Sequence, residues 1–515
     1  MPWLCAGGAG QNRKRTHDVS YSTNAHHMQD AKTTIELDAN PVEREPAASF
    51  RVLGDQAFSR AAGAPLVPGN KIRILRNADE NYPAWLDAIR SATRTIHFES
   101  YIIHADEVGY EFAKLLVRKA RQGVRVRLIY DWVGALGNTS WGFWRRLRKA
   151  GVEVRCFNPP RLYSPFGWIT RDHRKMIAVD GRIGFVTGLC VGARWVGNPS
   201  RHIEPWRDTG VAIEGPAVAD VERSFARMWA SMGPPIPNEE LRLDGDSLER
   251  AGDVTLRIVA SEPNTAGLYR LDQLIAAVAR NSIWLTDAYF LATPGYTQAL
   301  RAAALDGVDV RLLVPRTSDI PIVSSMSRVG YRSLLEAGVR IFEWNGSMLH
   351  AKTGVADGRW ARVGSTNLNV SSWMGNYELD VVVEDEPFAQ SMEEMYLEDL
   401  AHSTEIVLRE KHKVRRAQEP AQRVPPRRSA RGSAGRAATG VIAFGTTIGA
   451  AMTSRQVLGP AEAPIMFTAA LVLLALTVIA IIFPGFISVV IAVVAGWTAV
   501  TLLIKAFRLH FRKKE

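Results

Sequence analysis

Residues 349–367, LHAKTGVADGRWARVGSTN, set His350, Lys352, Asp357, Gly364, Ser365 and Asn367 at fixed spacing. Together they offer an imidazole for nucleophilic or acid/base work, a fixed cation, and hydroxyl and amide donors, a set suited to a phosphate. The run TGVA after Lys352 has strand character, and residues i and i+2 of a strand project to one face, so His350 and Lys352 point the same way. Asp357-Gly358 reads as a hairpin turn, after which RWARV returns and brings Ser365 and Asn367 beside the His and Lys.

A lone His-x-Lys would be an ordinary surface strand, but here the pattern is written twice. Residues 173–190, HRKMIAVDGRIGFVTGLC, put His173, Lys175 and Asp180 in register with His350, Lys352 and Asp357 at an offset of 177. The first copy departs at its end: Thr187, Gly188 and Cys190 stand where the second has Gly364, Ser365 and Asn367. A thiol is a weak donor. Either phosphate binding relies chiefly on the second copy, with Thr187 offering a hydroxyl from the first, or the activity or substrate preference has drifted.

The elements that must position these residues repeat as well. WLDAIRSATRTIHFESYII followed by AKLLVRKARQGVRVRLIYD has a counterpart in LDQLIAAVARNSIWLTDAYFL followed by TQALRAAALDGVDVRLLVP, with Tyr101 matching Tyr289 and Gly123 matching Gly307. Each copy reads as amphipathic helix, strand, helix, Gly and β-branched strand, the signature of an α/β domain. The expected architecture is two tandem α/β sandwich domains, residues 51–250 and 251–408, related by an approximate two-fold axis with both motifs at their interface.

The 515-residue chain has a formal charge of +11, but its distribution matters more than its sum. Residues from Arg409 onward hold 16 Lys and Arg against 4 Asp and Glu, which leaves the first 408 at −1. Such a near-neutral body argues against a nucleic-acid groove, which needs cations along a phosphate backbone. The three cysteines, Cys5, Cys156 and Cys190, form no CxxC pair and suggest a reducing compartment, with neither a disulfide framework nor a metal centre. Residues 1–50 are polar and aperiodic and read as a disordered tail; residues 409–437 have the Pro, Gly, Ser and basic composition of a solvated linker.

In the C-terminal region 438–515, residues 465–483 and 486–504 are uncharged runs, each about 28 Å long as a helix and separated by Pro484-Gly485. They are expected to form a transmembrane hairpin, and the basic residues on both outer flanks place both ends on the cytoplasmic side. Trp141, Trp144 and Trp168, beside Arg145, Arg146 and Arg148, read either as core and loop packing or as a rim at the bilayer interface.

The doubled His-x-Lys-x4-Asp-x6-Gly-Ser-x-Asn pattern resembles that of the phospholipase D superfamily. FESYIIHADEVG, GVRVRLIYDWVG, RDHRKMIAVDG and GSTNLNVSSWMGNYELDVVVED are similar, more narrowly, to bacterial cardiolipin synthases, over residues 70–408. The resemblance implies displacement at phosphorus without a metal or other cofactor: one of His173 and His350 attacks while the other protonates the leaving alcohol. Lys175, Lys352, Ser365 and Asn367 would hold the phosphate oxygens. It also implies a carboxylate that orients each ring: Glu378, 28 residues after His350, in the second half, and Asp208 in the first. Asp180 and Asp357 belong to the catalytic pattern, although their Asp-Gly context reads as structural.

The implied activity is that of a membrane-anchored phosphatidyltransferase in a bacterial inner membrane, its catalytic domain facing the cytoplasm. It would join two phosphatidylglycerol molecules into cardiolipin and glycerol. Hydrolysis of phospholipids, a phosphodiesterase nuclease and an inactive membrane scaffold are the alternatives.

Overall fold

The computed structural model describes residues 56–160, 170–241, 248–408 and 414–416, together with scattered helical positions between 471 and 500. The tail 1–50, most of the linker and most of the two apolar runs lie outside the described residues. Among the described residues no helix is long and apolar enough to cross a membrane.

Seven strands make the first half: β1 (Val67–Arg76), β2 (Thr95–Ser100), β3 (Arg125–Asp131), β4 (Glu153–Phe157), β5 (Lys175–Val179), β6 (Ile183–Thr187) and β7 (Thr209–Glu214). Seven in the second match them: β8 (Val254–Ser261), β9 (Ser282–Thr286), β10 (Asp309–Pro315), β11 (Arg340–Trp344), β12 (Thr353–Ala356), β13 (Trp360–Gly364) and β14 (Glu378–Glu384). Outward from a central β1–β8 joint, one half runs β1-β7-β6-β5-β2-β3-β4 and the other β8-β14-β13-β12-β9-β10-β11. The two orders are identical once corresponding strands are matched, which is the duplication expressed as topology. In each half the strands β2-β3-β4 or β9-β10-β11 are parallel and joined by helices, whereas β5 and β12 pair antiparallel with both neighbours.

Three of the four hydrophobic clusters among the described residues hold this arrangement. Each half has its own outer core, around Trp85, Phe98 and Phe112 in the first and Leu285, Leu312 and Trp373 in the second. The third is shared: Val186, Val211 and Ile213 of β6 and β7 join Val363, Leu379 and Val381 of β13 and β14, covered by Phe225, Met228 and Trp229 from helix Val218–Ser231 and by Phe388 and Met392 from helix Glu386–Ala401. Truncating one such side chain to Ala typically costs about 2–5 kcal/mol. Two expected boundaries shift. Phe58, Ala62 and Ala64 pack in the second half's core instead of the first. The linker, expected to be solvated throughout, contains a strand, β16 (Val414–Arg416), paired to β15 (Ser403–Leu408) through backbone bonds that require no apolar side chains.

The Asp-Gly turns form as expected, with Asp180 and Gly181 at φ 55° and 63° and Asp357 and Gly358 at 51° and 59°. Asp180 accepts from the backbone N–H groups of Thr93, Arg94 and Thr95 and from the Thr93 hydroxyl. Asp357 does the same for Arg280, Asn281 and Ser282. Each carboxylate thus pins the start of β2 or β9 to the far end of β5 or β12, seven residues from its histidine; at about 3.3 Å per residue, neither reaches the reacting centre. Their place in the catalytic pattern is corrected to a structural one. Asp180→Ala and Asp357→Ala should each lower unfolding free energy by roughly 3 kcal/mol in urea titrations, from lost charge-assisted bonds and an Ala at positive φ. The folded fraction should keep its specific activity within a few-fold, and a loss of activity with unchanged stability would contradict the assignment.

Candidate active site

His173 and Lys175 alternate with Arg174, and the alternation sends them to different surroundings. Arg174 is fully buried and donates to the carbonyls of Glu378, Ser224 and Ser261, which fastens the motif to both halves. His173 and Lys175 face a cavity that His350, Asn367 and Cys190 also line, so the two motifs meet in one place. Lys352 is wholly buried behind His350, with Nζ against the His350 carbonyl and 3.0 Å from Nδ1.

The backbone explains how the halves are brought into register. The His173 N–H donates to the Tyr377 carbonyl at 2.9 Å, and the Tyr377 N–H donates to the Arg171 carbonyl at 2.8 Å. The same exchange recurs on the other side, where His350 N–H meets the Arg207 carbonyl at 2.7 Å and Arg207 N–H the Met348 carbonyl at 2.8 Å. Each motif is thereby stitched beside the residue preceding the other half's carboxylate. His173 Nδ1 lies 2.9 Å from Glu378 Oε2, and His350 Nδ1 lies 2.7 Å from Asp208 Oδ2. The expected pairing within each half is corrected: the pairs are crossed. Arg207 reinforces the crossing with a bidentate ion pair to Asp399 at 2.8 and 2.9 Å.

Two expected phosphate ligands have other work. The Ser365 hydroxyl donates to Glu378 Oε2 at 2.6 Å and accepts from the Leu379 N–H, so it orients the carboxylate. Thr187 Oγ1 accepts from the Leu189 N–H and does not line the cavity. Gly188 occupies the place matching Ser365, and a Cβ there would sit 2.1 Å from Asp208 Oδ1. A hydroxyl has no room beside Asp208, which instead accepts from Trp195 Nε1 at 3.0 Å and from the Thr209 N–H.

Electrostatics favour ionised carboxylates and neutral rings. Burial, then Lys352, pushes His350 down to about 4 against the pull of Asp208. Burial likewise lowers His173, opposed by Glu378. Burial pushes Asp208 up, but His350 and Lys352 together hold it at about 2, and Glu378 is also lowered by His173 and its hydrogen bonds. Burial, then the charge of Lys175, brings Lys352 down to about 8. Each Nδ1–H donates to a carboxylate, which leaves each Nε2 lone pair available. The Cys190 thiol is raised by burial and so stays neutral.

Two features escaped the sequence reading. Tyr101 and Tyr289 set their ring edges against His173 and His350, at centroid distances of 5.1 and 5.9 Å; their repeated positions carried the signal. Arg171 lines the cavity with no counterpart in the second copy, where Met348 stands. Trp144 turns inward and stacks on Tyr130 at 3.8 Å, which removes it from any interfacial rim, while Trp141 is 70% exposed; Trp168 lies outside the described residues.

Residues 85–229 and 272–400, a set that contains both motifs and both carboxylates, match the family described as cardiolipin synthase, PLD-like domain. The chain belongs to that family. Cardiolipin synthase A of Pseudomonas fluorescens is 34% identical over 379 residues, 72% of this chain and 76% of its relative. A cardiolipin synthase of Geobacillus sp. is 34% identical over 355 residues, 68% of this chain and 70% of that one. The solved phosphatidylserine synthase of Haemophilus influenzae shares the fold, with a TM-score of 0.54 at 14% identity over 68% of this chain and 91% of its own. This cardiolipin synthase family member is thus an enzyme, a phosphatidyltransferase of the phospholipase D-like class.

The neutral buried rings have a measurable consequence. A free histidine titrates near 6.5, so the unfolded chain takes up a proton that folded His350 refuses until about pH 4. The stability this site contributes is complete above about pH 6.5 and lost as pH falls towards 4. In urea titrations at pH 7.5 and 5, the loss of stability on acidification should be smaller in His350→Gln than in the parent; equal losses would place a charged ring in the folded site.

Proposed function

We propose that this enzyme joins two phosphatidylglycerol molecules into cardiolipin and glycerol, with the phosphatidyl group carried on a histidine. The observation that carries the reading is a single cavity walled by two imidazoles, each with Nδ1 on a carboxylate and Nε2 unclaimed. His173, the more exposed ring at 12% against 7% for His350, attacks the donor phosphorus. A P–N bond forms, the P–O bond to glycerol breaks, and His350 supplies the proton to the departing oxygen. The hydroxyl of a second phosphatidylglycerol then gives its proton back to His350 and displaces His173.

A proton on His350 is needed although burial keeps the free ring neutral. The entering phosphodiester supplies the reason, since a neighbouring negative charge raises an imidazole pKa. Lys175 and the Asn367 amide line the same cavity, and Lys352 lends charge from behind; these groups are placed to stabilise the pentacoordinate transition state. Asn367 has only Cys190 opposite it, so the amide contribution is one-sided.

Both C-terminal apolar runs are proposed to anchor the enzyme in a bacterial inner membrane, with the catalytic halves on the cytoplasmic side. Trp141, with the Arg145 guanidinium 4.9 Å from its ring centroid, supports contact with an anionic bilayer surface. The purified full chain in phosphatidylglycerol vesicles, without added metal, should yield cardiolipin and glycerol. Phosphatidic acid as the main product would make it a hydrolase. His173→Ala and His350→Ala should each abolish turnover, and Asp208→Asn and Glu378→Gln should each lower kcat by about 10²–10⁴. Intact-mass analysis of the quenched reaction should find a phosphatidyl adduct on a histidine peptide.

A further inference from the structure

If transfer runs between two phosphatidylglycerols, two phosphates enter the cavity. The donor phosphate sits on His173, and the acceptor lipid carries its own phosphodiester, joined to the attacking hydroxyl through a three-carbon bridge. That second anion needs a cation of its own, one that hydrolysis by water would not need. The side chain with the properties of such a ligand is Arg171.

Arg171 lines the cavity two residues before His173, and it is only 7% exposed. One end is fixed: Nη1 donates to Asp131 Oδ1 at 2.9 Å, and Asp131 is itself held by the N–H groups of Val133, Gly134 and Asp172. The other end is unpaired: the buried Nε and Nη2 have no hydrogen-bond partner among the described residues. Two unpaired N–H donors on a buried guanidinium are costly unless an acceptor comes to them, and a fork of this kind matches two oxygens of a phosphate. Two residues of extended chain span about 6.6 Å, on the order of a glycerol bridge with an oxygen at each end. The other arginine on the wall, Arg194, has its guanidinium 5.7 Å from the centroid of the Trp206 ring.

We propose that Arg171 binds the phosphate of the acceptor lipid and so directs the phosphohistidine towards an anionic lipid alcohol. In the second step the P–N bond to His173 breaks, a P–O bond to the acceptor's terminal carbon oxygen forms, and the hydroxyl proton passes to His350. Arg171 touches neither the breaking nor the forming bond; it fixes the acceptor through the distal phosphate.

The proposal depends on the transferase reading, and one experiment separates the two. The full chain in phosphatidylglycerol vesicles is given radiolabelled glycerol, so that cardiolipin formation (anionic acceptor) and label entering phosphatidylglycerol (neutral acceptor) are counted together. In Arg171→Lys, which keeps a cation for Asp131 but loses the fork, and in Arg171→Gln, the ratio of cardiolipin to exchanged glycerol should fall about 10-fold or more. A parallel loss of both products, or an unchanged ratio in two folded variants, would overturn the assignment. A parent enzyme that makes phosphatidic acid and no cardiolipin would instead remove the transferase reading itself. Thermal unfolding of each variant confirms that the ratio is read from folded protein.

Discussion

The structure depends on one constraint: each catalytic-pattern histidine takes its carboxylate from the opposite half. A hydrogen bond of 2.7 Å between His350 and Asp208, or 2.9 Å between His173 and Glu378, tolerates little relative movement of the two lobes. The paired backbone bridges at Asp172 and Tyr377 and at Arg207 and Leu349 set that register. Arg174 and Arg207 then hold it from the reverse face, one by three carbonyls and the other by a bidentate carboxylate. Buried charges are stabilising only when they are well paired; Arg207 finds Asp399 across the seam, and Arg171 finds Asp131 within its own half.

The same constraint explains the chemistry of the rings. Excluding water lowers both imidazole pKa values and raises the reach of every nearby charge. An Nδ1–H tied to an ionised carboxylate leaves the Nε2 lone pair free without protonating the ring, and both rings are oriented by contacts made within the protein itself. The shared core of Val211, Ile213, Leu379 and Val381 offsets the cost of gathering two lysines, two carboxylates and two histidines in so dry a place.

Much of this was legible in the residues themselves. The doubled motif, the βαβ runs and the Asp-Gly turns located both halves, and i, i+2 alternation put His and Lys on one face. The crossed pairing was not legible, because nothing in the spacing of Glu378 from His350 tells which lobe its side chain faces; that depends on bridges between segments some 200 residues apart, Asp172 and Tyr377. Ser365 looked like a phosphate ligand because a hydroxyl next to Asn367 suits one, and only the placement of Glu378 gave it another task. Trp144 differs from Trp141 by less than one helical turn, yet one stacks on Tyr130 and the other is exposed. Composition could not separate them.

The crossing also bears on how such a chain could have arisen. A polypeptide with one repeat would hold an imidazole and an acid that cannot reach each other, and it would become competent only by clasping a twin. Fusion makes that encounter intramolecular. Once the lobes no longer need to be self-complementary, they are free to differ in character, as Cys190 does from Asn367 and Arg171 from Met348, and a centre built from two like halves can acquire a sense of direction.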